Sequence, residues 1–282
     1  MVEIQDGSCG VQNQDQAKQQ QEIELKSALS KIKYKFIVMS GKGGVGKTSV
    51  SVNLGIALGK RGFKVGIMDV DLHGPDVPRM LGLKGMVSAN ETQKLEPMRY
   101  SDNVKVMSIE CLMPNKDDAV IWRGPLKHSA INQFISDVDW GELDFLIVDS
   151  PPGTGDEPLS VVQTIPDARP ILVTTPQEVA LSDVRKSINF CKKVEKNIFG
   201  MVENMSGYVC PHCGKTADLF GTGGGEATAK QFNINFLGKI PFDPNLVKAG
   251  DSGLSYQDEY QESVAAKAFG EIADKLAALV SA

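Results

Sequence analysis

The sequence predicts an α/β protein built on one doubly wound, mostly parallel sheet with helices on both faces. Apolar runs of strand length alternate along the chain with segments of helical periodicity, as in folds made of repeated strand and helix units. A glycine-rich loop follows the first apolar run, residues 34–39, and two later runs, 64–69 and 143–149, end in aspartate. Because the carboxyl ends of parallel strands meet at one edge of a sheet, these features predict a ligand site there.

The bulk properties of the chain favour a folded protein that binds neither membranes nor nucleic acid. Its 282 residues allow one large α/β domain or two small ones, and 41% hydrophobic residues can form an ordinary core. A net charge of −5 argues against a generally basic nucleic-acid surface. No apolar segment approaches the roughly eighteen residues of a membrane span, and the first residues lack the parts of a secretory signal. We therefore expect a soluble, cytoplasmic protein.

The first 30 residues differ in composition from the rest of the chain. They are rich in glutamine and poor in apolar residues, which predicts a flexible, mobile or marginally helical arm over residues 1–30 ahead of one domain over residues 31–282. The five cysteines of the chain are too few and too unevenly spaced for a disulfide framework. Cys9, in the arm, is interpreted as an exposed thiol in preference to a third ligand of a metal cluster.

Residues 40–48, Ser-Gly-Lys-Gly-Gly-Val-Gly-Lys-Thr, have the spacing of a phosphate-binding P-loop between a strand and a helix. Glycines allow successive backbone N–H groups to turn toward an anion, and the positive end of the helix faces the same point. Lys47 can reach the β- and γ-phosphates, which gives it a catalytic role, and the Thr48 hydroxyl can bind Mg²⁺. We predict that ATP and Mg²⁺ bind here. The predicted nucleotide-binding residues of the loop are Gly41, Lys42, Gly43, Gly44, Val45, Gly46, Lys47, Thr48 and Ser49.

A second lysine, Lys42, stands near the start of the loop, although one subunit does not need it to hold one nucleotide. With it the loop resembles the deviant Walker A motif of the family that contains the division-site regulator MinD, the partition ATPase ParA and the nitrogenase iron protein. In that family the early lysine contacts the nucleotide phosphate across a dimer. The resemblance therefore implies that Lys42 is catalytic and that the chain forms an ATP-linked homodimer.

Carboxylates follow two of the predicted strands. Asp69 and Asp71 lie on the same side of an extended segment, where they can hold metal-bound water and orient the attacking water. The family resemblance implies that Asp69 belongs to the magnesium shell and that Asp71 orients the attacking water. The alternative is that both aspartates only cap a helix or stabilise a turn. Asp149 ends a buried strand in the form of a Walker B element and is predicted to support Mg²⁺.

The segment after Asp149 contains two prolines and two glycines, residues 150–156. Prolines restrict the backbone and glycines open it, which suits a loop that changes arrangement with the γ-phosphate. The alternative is a rigid loop without a switching role.

Three separate motifs narrow the family. Residues 149–156, Trp-Arg-Gly-Pro at 122–125 and Glu-Asn-Met-Ser at 203–206 together resemble the Mrp/Nbp35/ApbC group of iron–sulfur cluster carrier ATPases. The resemblance runs from about residue 33 to the end. It implies that the Asn204 amide contacts the adenine edge, for which a turn-stabilising asparagine is the alternative, and Pro241 is expected to line the adenine pocket.

Cys210 and Cys213 form a Cys-x-x-Cys pair within a loop near residues 207–225. Such spacing directs two sulfurs toward one point, which is half of a four-ligand shell. Two subunits would supply four sulfurs, which suits a [4Fe–4S] cluster and also zinc. The carrier resemblance selects the cluster. A redox dithiol and a structural zinc bridge remain the alternatives.

These features lead to one functional hypothesis. We expect a homodimer that receives a [4Fe–4S] cluster from a donor, holds it between subunits and transfers it to recipient apoproteins with ATP hydrolysis. The alternatives are a positioning switch like MinD or ParA whose dimer is bridged by zinc, and a cluster scaffold with negligible turnover.

Overall fold

The structure, a computed structural model, describes residues 9–71, 74–113, 124–210 and 213–280, and of residues 9–18 and 124–128 it describes the backbone alone. Within these ranges the strands are β1 (Ile32–Ser40), β2 (Val65–Asp69), β3 (Met98–Arg99), β4 (Val104–Ser108), β5 (Leu143–Asp149), β6 (Arg169–Thr174), β7 (Gly200–Val209), β8 (Thr216–Ala217) and β9 (Phe236–Phe242). The α-helices are α1 (Cys9–Ser30), α2 (Lys47–Lys60), α3 (Val77–Met80), α4 (Gly124–Ser136), α5 (Asp156–Thr164), α6 (Glu178–Lys193), α7 (Gly224–Gln231), α8 (Pro244–Asp251), α9 (Tyr256–Glu259) and α10 (Val264–Ala277), and one 3-10 turn covers Ile109–Leu112.

The strands form one sheet in the order β3-β4-β2-β5-β1-β6-β7-β8, and β9 pairs with β7. The pairs from β4 across to β7, and the β7–β9 pair, are parallel. Only the short strands β3 and β8 run antiparallel to their neighbours within the described residues. The predicted mostly parallel sheet is therefore confirmed.

Both faces of the sheet are covered, as a doubly wound fold requires. Along β1, Phe36 and Val38 join one buried apolar cluster with α2 and α10, whereas Ile37 and Met39 join a second cluster with α4, α5 and α6. Successive side chains of a strand point to opposite faces, so this division puts helices on both sides of the sheet. The central strands are apolar on both faces for the same reason.

The first helix lies within the arm predicted over residues 1–30. Helix α1 covers Cys9–Ser30, and near its end Leu29 is buried in the cluster that also contains α4. This finding agrees with the helical alternative for the arm, at least for its last turns. The division of the chain into an arm and a domain over residues 31–282 stays a prediction.

Among the described residues, none of the helices combines the length and apolar character that crossing a bilayer requires. Trp122 and Arg123, which belong to one of the family motifs, lie outside the described residues.

Candidate functional site

The order of the central strands brings the predicted P-loop and both carboxylate segments together. Strand β5 lies between β1 and β2, and Asp149 is in register with Val38 on one side and with Asp69 on the other. The P-loop follows β1 directly, so it starts beside Asp149 at the carboxyl edge of the sheet. The ligand site predicted at that edge thus has its main polar residues in one place.

The backbone of the loop fits a phosphate group. Gly44 and Gly46 both have φ of 81°, a left-handed conformation that glycine adopts without strain. A Cβ atom built on Gly43 or Gly44 meets nothing within 4 Å, so this stretch borders open space. Helix α2 begins at Lys47 and directs the positive end of a 14-residue helix toward the loop. An anion is the ligand that this arrangement favours.

Close packing against α6 and β7 fixes the P-loop. A Cβ atom on Gly41 would lie 2.2 Å from the backbone carbonyl carbon of Asp183 in α6, and one on Gly46 would lie 2.2 Å from Nδ2 of Asn204. Glycine at these two positions therefore lets the loop contact α6 and β7.

Lys47 and Asp149 form the centre of a buried polar cluster. Lys47 Nζ lies 2.7 Å from Oδ2 of Asp149 and 3.8 Å from Oδ2 of Asp71. Thr48 Oγ1 donates to Asp149 Oδ2 at 2.8 Å, and Ser51 Oγ donates to Asp149 Oδ1 at 2.6 Å. The structure thus brings together five polar residues that bear on phosphate and metal chemistry. Ser51 was missed in the sequence, although its position one helical turn after Lys47 was a signal that could have identified it.

Asp69 lies beside this cluster and is 1% exposed. It accepts hydrogen bonds from the backbone N–H of Asp71 at 3.1 Å and from Ser108 Oγ at 3.1 Å. Burial, and after it the charge of Asp149, raises the pKa of Asp69 well above 3.8, whereas Lys47 acts to lower it.

Hard oxygen donors are therefore concentrated at one point. Mg²⁺ typically takes one or two protein carboxylates together with substrate phosphates, and its charge would offset the repulsion between Asp69 and Asp149. The hydroxyl of Thr48 adds a neutral oxygen on the same side. These residues fit a nucleotide-bound Mg²⁺. Their assignment to that ion stays a prediction.

Lys42 and the segment after Asp149 lie at the start of the loop. Ser40 Oγ donates to the Lys42 carbonyl at 2.9 Å, and the Gly153 N–H donates to the Ser40 carbonyl at 2.8 Å. The segment predicted to switch, residues 150–156, thus contacts the entry to the P-loop. The contact of Lys42 across a dimer and the water-orienting role of Asp71 stay predictions.

The two residues predicted at the adenine lie in neighbouring strands, Asn204 in β7 and Pro241 in β9. Asn204 is buried, and its Nδ2 donates to the Val45 carbonyl of the P-loop at 2.9 Å. Pro241 lines a cavity of about 420 Å³ together with Tyr208 and Lys248. Both lie near the P-loop end of β7 and β9, and their adenine contacts stay predictions.

The cysteine pair lies at the tip of the hairpin formed by β7 and β8. The strands pair through Tyr208 and Val209, after which the Cys210 N–H donates to the Lys215 carbonyl at 2.9 Å. The Gly214 N–H donates back to the Cys210 carbonyl at 2.8 Å. The hairpin presents an exposed thiol at Cys213 and a partly exposed one at Cys210.

The other described thiols cannot join this pair, because Cys111 and Cys191 are buried elsewhere in the protein. In the part of the chain that the structure describes, no group of three or more His, Cys, Asp or Glu side chains could hold a metal ion. The described part of one chain therefore supplies two sulfur ligands at the hairpin, those of Cys210 and Cys213.

The sequence matches the family described as ParA, NUBPL iron-transfer P-loop NTPase, over residues 31–277. The iron-sulfur cluster carrier protein of Methanocaldococcus jannaschii is 50% identical over 236 residues, which are 83% of this chain and 81% of the relative. The cytosolic Fe-S cluster assembly factor CFD1 of Saccharomyces cerevisiae is 44% identical over 270 residues, which are 92% of each chain.

A solved structure gives the same result for the fold. The nucleotide-binding protein in complex with ADP from Archaeoglobus fulgidus is 40% identical and superposes with a TM-score of 0.72, covering 82% of this chain and 90% of its own. These matches, together with the P-loop geometry, confirm the family resemblance that the separate motifs indicate. The chain belongs to the ParA family of NUBPL iron-transfer P-loop NTPases.

Proposed function

We propose that this protein is an ATP-dependent carrier that binds a [4Fe–4S] cluster between two subunits and transfers it to apoproteins. The observation that carries the proposal is the cysteine pair of the β7–β8 hairpin, with Cys213 exposed and Cys210 partly exposed, in a chain that also has a complete P-loop. The iron–sulfur carrier relatives support the choice of a cluster over zinc.

The cluster is cargo, and the ligand count argues for a shared site. Cys210 and Cys213 supply two thiolates, and the described part of the chain brings no third ligand to them. A second copy would add two more and complete the Cys₄ set of a [4Fe–4S] cluster. Identical surfaces meeting about a twofold axis produce this arrangement without any other protein.

The nucleotide half of the proposal assigns a task to each P-loop residue. Backbone N–H groups around Gly44 bind phosphate, and Lys47 moves from its carboxylate partners to the β- and γ-phosphates. Thr48 and Asp149, with Asp69, would hold Mg²⁺, and the ion would supply positive charge to offset the charge of the phosphates. Asp71 orients the attacking water. Lys42 of each subunit contacts the nucleotide of the other, so ATP binding and dimer closure are linked.

ATP influences the carrier cycle through the segment that contacts both the P-loop and the sheet. Residues 150–156 contact the entry to the P-loop, so loss of the γ-phosphate would change their position and the dimer contact. We propose that this change lowers retention of the cluster and releases it to a recipient. The cytosolic relative supports a location in the cytoplasm, with a cluster donor and recipient apoproteins as partners. Membrane and nucleic-acid binding are not part of the proposed cycle.

The test is anaerobic reconstitution with iron and sulfide, followed by transfer to an apo-enzyme that requires a [4Fe–4S] cluster. We expect visible absorption and recovery of the apo-enzyme with wild-type protein, and loss of both in Cys210→Ala and Cys213→Ala. Cys191→Ala is the matched control, because it removes a buried thiol outside the hairpin. Stoichiometric zinc without visible absorption would instead support the positioning switch.

A further inference from the structure

Glu203 is a fully buried carboxylate within β7, paired with the last residue of β6 and one residue before Asn204. A carboxylate is costly to bury unless hydrogen bonds compensate the lost hydration. The partners of Glu203 therefore indicate what the residue holds in place.

Those partners are Ser206, three residues later in β7, and two glycines at the start of α7. Oε1 accepts the Gly223 N–H at 2.8 Å and the Ser206 hydroxyl at 2.5 Å, and Oε2 accepts the Gly225 N–H at 2.5 Å. Ser206 Oγ also lies 3.0 Å from Thr222 Oγ1. Negative charge at the start of α7 is favourable, because the first N–H groups of a helix have no partner within the helix. Glu203 thus binds the segment 222–225 to β7.

The next residue of β7, Asn204, contacts the P-loop. Asn204 Nδ2 donates to the Val45 carbonyl at 2.9 Å, and the site of a Cβ on Gly46 is occupied by this amide. Met205 follows with φ of 56°, a left-handed conformation that is uncommon for a residue with a side chain. A movement of Val45 or Gly46 would therefore act directly on Asn204 and Met205.

Strand β7 continues from Met205 into the cysteine hairpin. Gly207 has φ of 74°, Tyr208 and Val209 pair with β8, and Cys210 follows. The loop held by Glu203 lies against the same hairpin, because the ring of Phe220 packs edge-on against that of Phe242, whose other neighbour is Tyr208. The carboxylate therefore fixes the base of the hairpin at the point where it meets the P-loop contact.

We propose that Glu203 is a positioning residue that couples the nucleotide state of the P-loop to the geometry of the Cys210 and Cys213 hairpin. It acts through the Gly223 and Gly225 amides and through Ser206, and it touches neither nucleotide nor cluster. The proposal deepens the carrier function and rests on it for its biological meaning. Its test below uses cluster-free protein, so a failure to form a cluster would refute the carrier function and leave this test intact.

The experiment measures the alkylation rate of Cys213 in full-length, cluster-free protein, with the modified peptide quantified by mass spectrometry. Each variant is measured with Mg²⁺ alone and with Mg²⁺ plus a non-hydrolysable ATP analogue. The ratio of the two rates reports the coupling. We expect wild-type protein to show a ratio that departs from one by about fivefold or more, the lower range of typical coupling between sites.

Glu203→Gln keeps the shape of the side chain but turns one acceptor into a donor that faces an N–H group. We expect its ratio to fall to about one, with analogue affinity and oligomeric mass as in wild type. Glu226→Gln is the matched control in the first turn of the same helix, because Glu226 is exposed and pairs only with Lys239 among the contacts described for it. Its ratio should equal that of wild type.

A merely structural role gives a different result. If Glu203→Gln speeds alkylation by the same factor in both nucleotide states, the ratio is unchanged and the proposal is wrong. It is also wrong if the ratio falls only together with analogue affinity or oligomeric mass, or if wild-type protein itself shows a ratio of one. If Glu203→Gln does not fold, Ser206→Ala replaces it, since this change removes one hydrogen bond and keeps the charge. An unchanged ratio in Ser206→Ala would then overturn the coupling.

Discussion

At the scale of residues, Asp149 has a dual role in this site. Its two oxygens accept hydrogen bonds from Thr48 and Ser51 and pair with Lys47, so the carboxylate is compensated while it is fully buried. The same groups are those that a phosphate and a metal ion would recruit. Binding of phosphate and a metal ion would therefore exchange the present partners of Asp149 and Lys47 for the ligand charges.

Lys47→Ala tests the catalytic role proposed for Lys47. We expect ATP hydrolysis to fall by roughly 10²-fold, the typical loss when one group that stabilises transition-state charge is removed. The measurement is phosphate release by purified protein. Lys267→Ala is the matched control, because Lys267 pairs with the exposed Glu262 on the surface. Hydrolysis unaffected by Lys47→Ala would remove this lysine from the mechanism.

Two thiols should differ strongly in reactivity. Burial raises the pKa of Cys191 to about 12, and the thiolate is the reactive form of cysteine, so Cys191 stays protonated at pH 8. Cys213 is exposed. We expect iodoacetamide at pH 8 to modify Cys213 in cluster-free native protein and to leave Cys191 unmodified until the protein is denatured. Equal modification of both in the native state would contradict the buried position of Cys191.

At the scale of elements, the turn between β1 and α2 tolerates little change at its glycines. Its glycines serve two purposes, backbone conformation at Gly44 and close approach of neighbouring elements at Gly41 and Gly46. The loop is thus held between α6 and β7, and it can bind phosphate without first being ordered.

Gly46→Ala should destabilise the protein. The added Cβ would meet Asn204 Nδ2, and a left-handed conformation costs a residue with a side chain roughly 1–2 kcal/mol. We expect a lower free energy of unfolding in urea. Gly43→Ala is the matched control, since its Cβ meets nothing within 4 Å and its φ is not positive. Equal stability of the two variants would show that the Asn204 contact does not constrain the loop.

Sequence patterns predicted some elements better than others. The runs at 34–39 and 143–149 are apolar because both faces of β1 and β5 are covered, so they were visible without knowledge of the fold. The two-residue strands β3 and β8 were not predicted, because their residues are half-buried or exposed and their pairing depends on neighbouring strands.

The same division applies to the site. Residues fixed by local chemistry, such as Lys47 and Thr48, were predicted from spacing alone. Contacts between distant segments were not: Ser51 on Asp149, Asn204 on Val45, and Glu203 on the loop before α7. Those contacts exist because of the strand order and the crossing of β7 past the P-loop, and no local pattern encodes that order.

At the scale of the whole molecule, the central claim is that two copies share one sulfur-ligated cluster. The nucleotide site and the hairpin are both on one chain, but each is incomplete in the proposed mechanism: Lys42 acts on the other subunit, and two cysteines are half of a cluster shell. One dimer would complete both sites at once, and ATP binding would thereby influence the hold on the cluster.

Native mass spectrometry of anaerobically reconstituted protein tests this claim most directly. We expect a species of two chains that carries four iron and four sulfide ions, and its loss in Cys210→Ala and Cys213→Ala but not in Cys191→Ala. A single chain that retains a complete cluster, or a dimer that retains it without the hairpin thiols, would contradict the account.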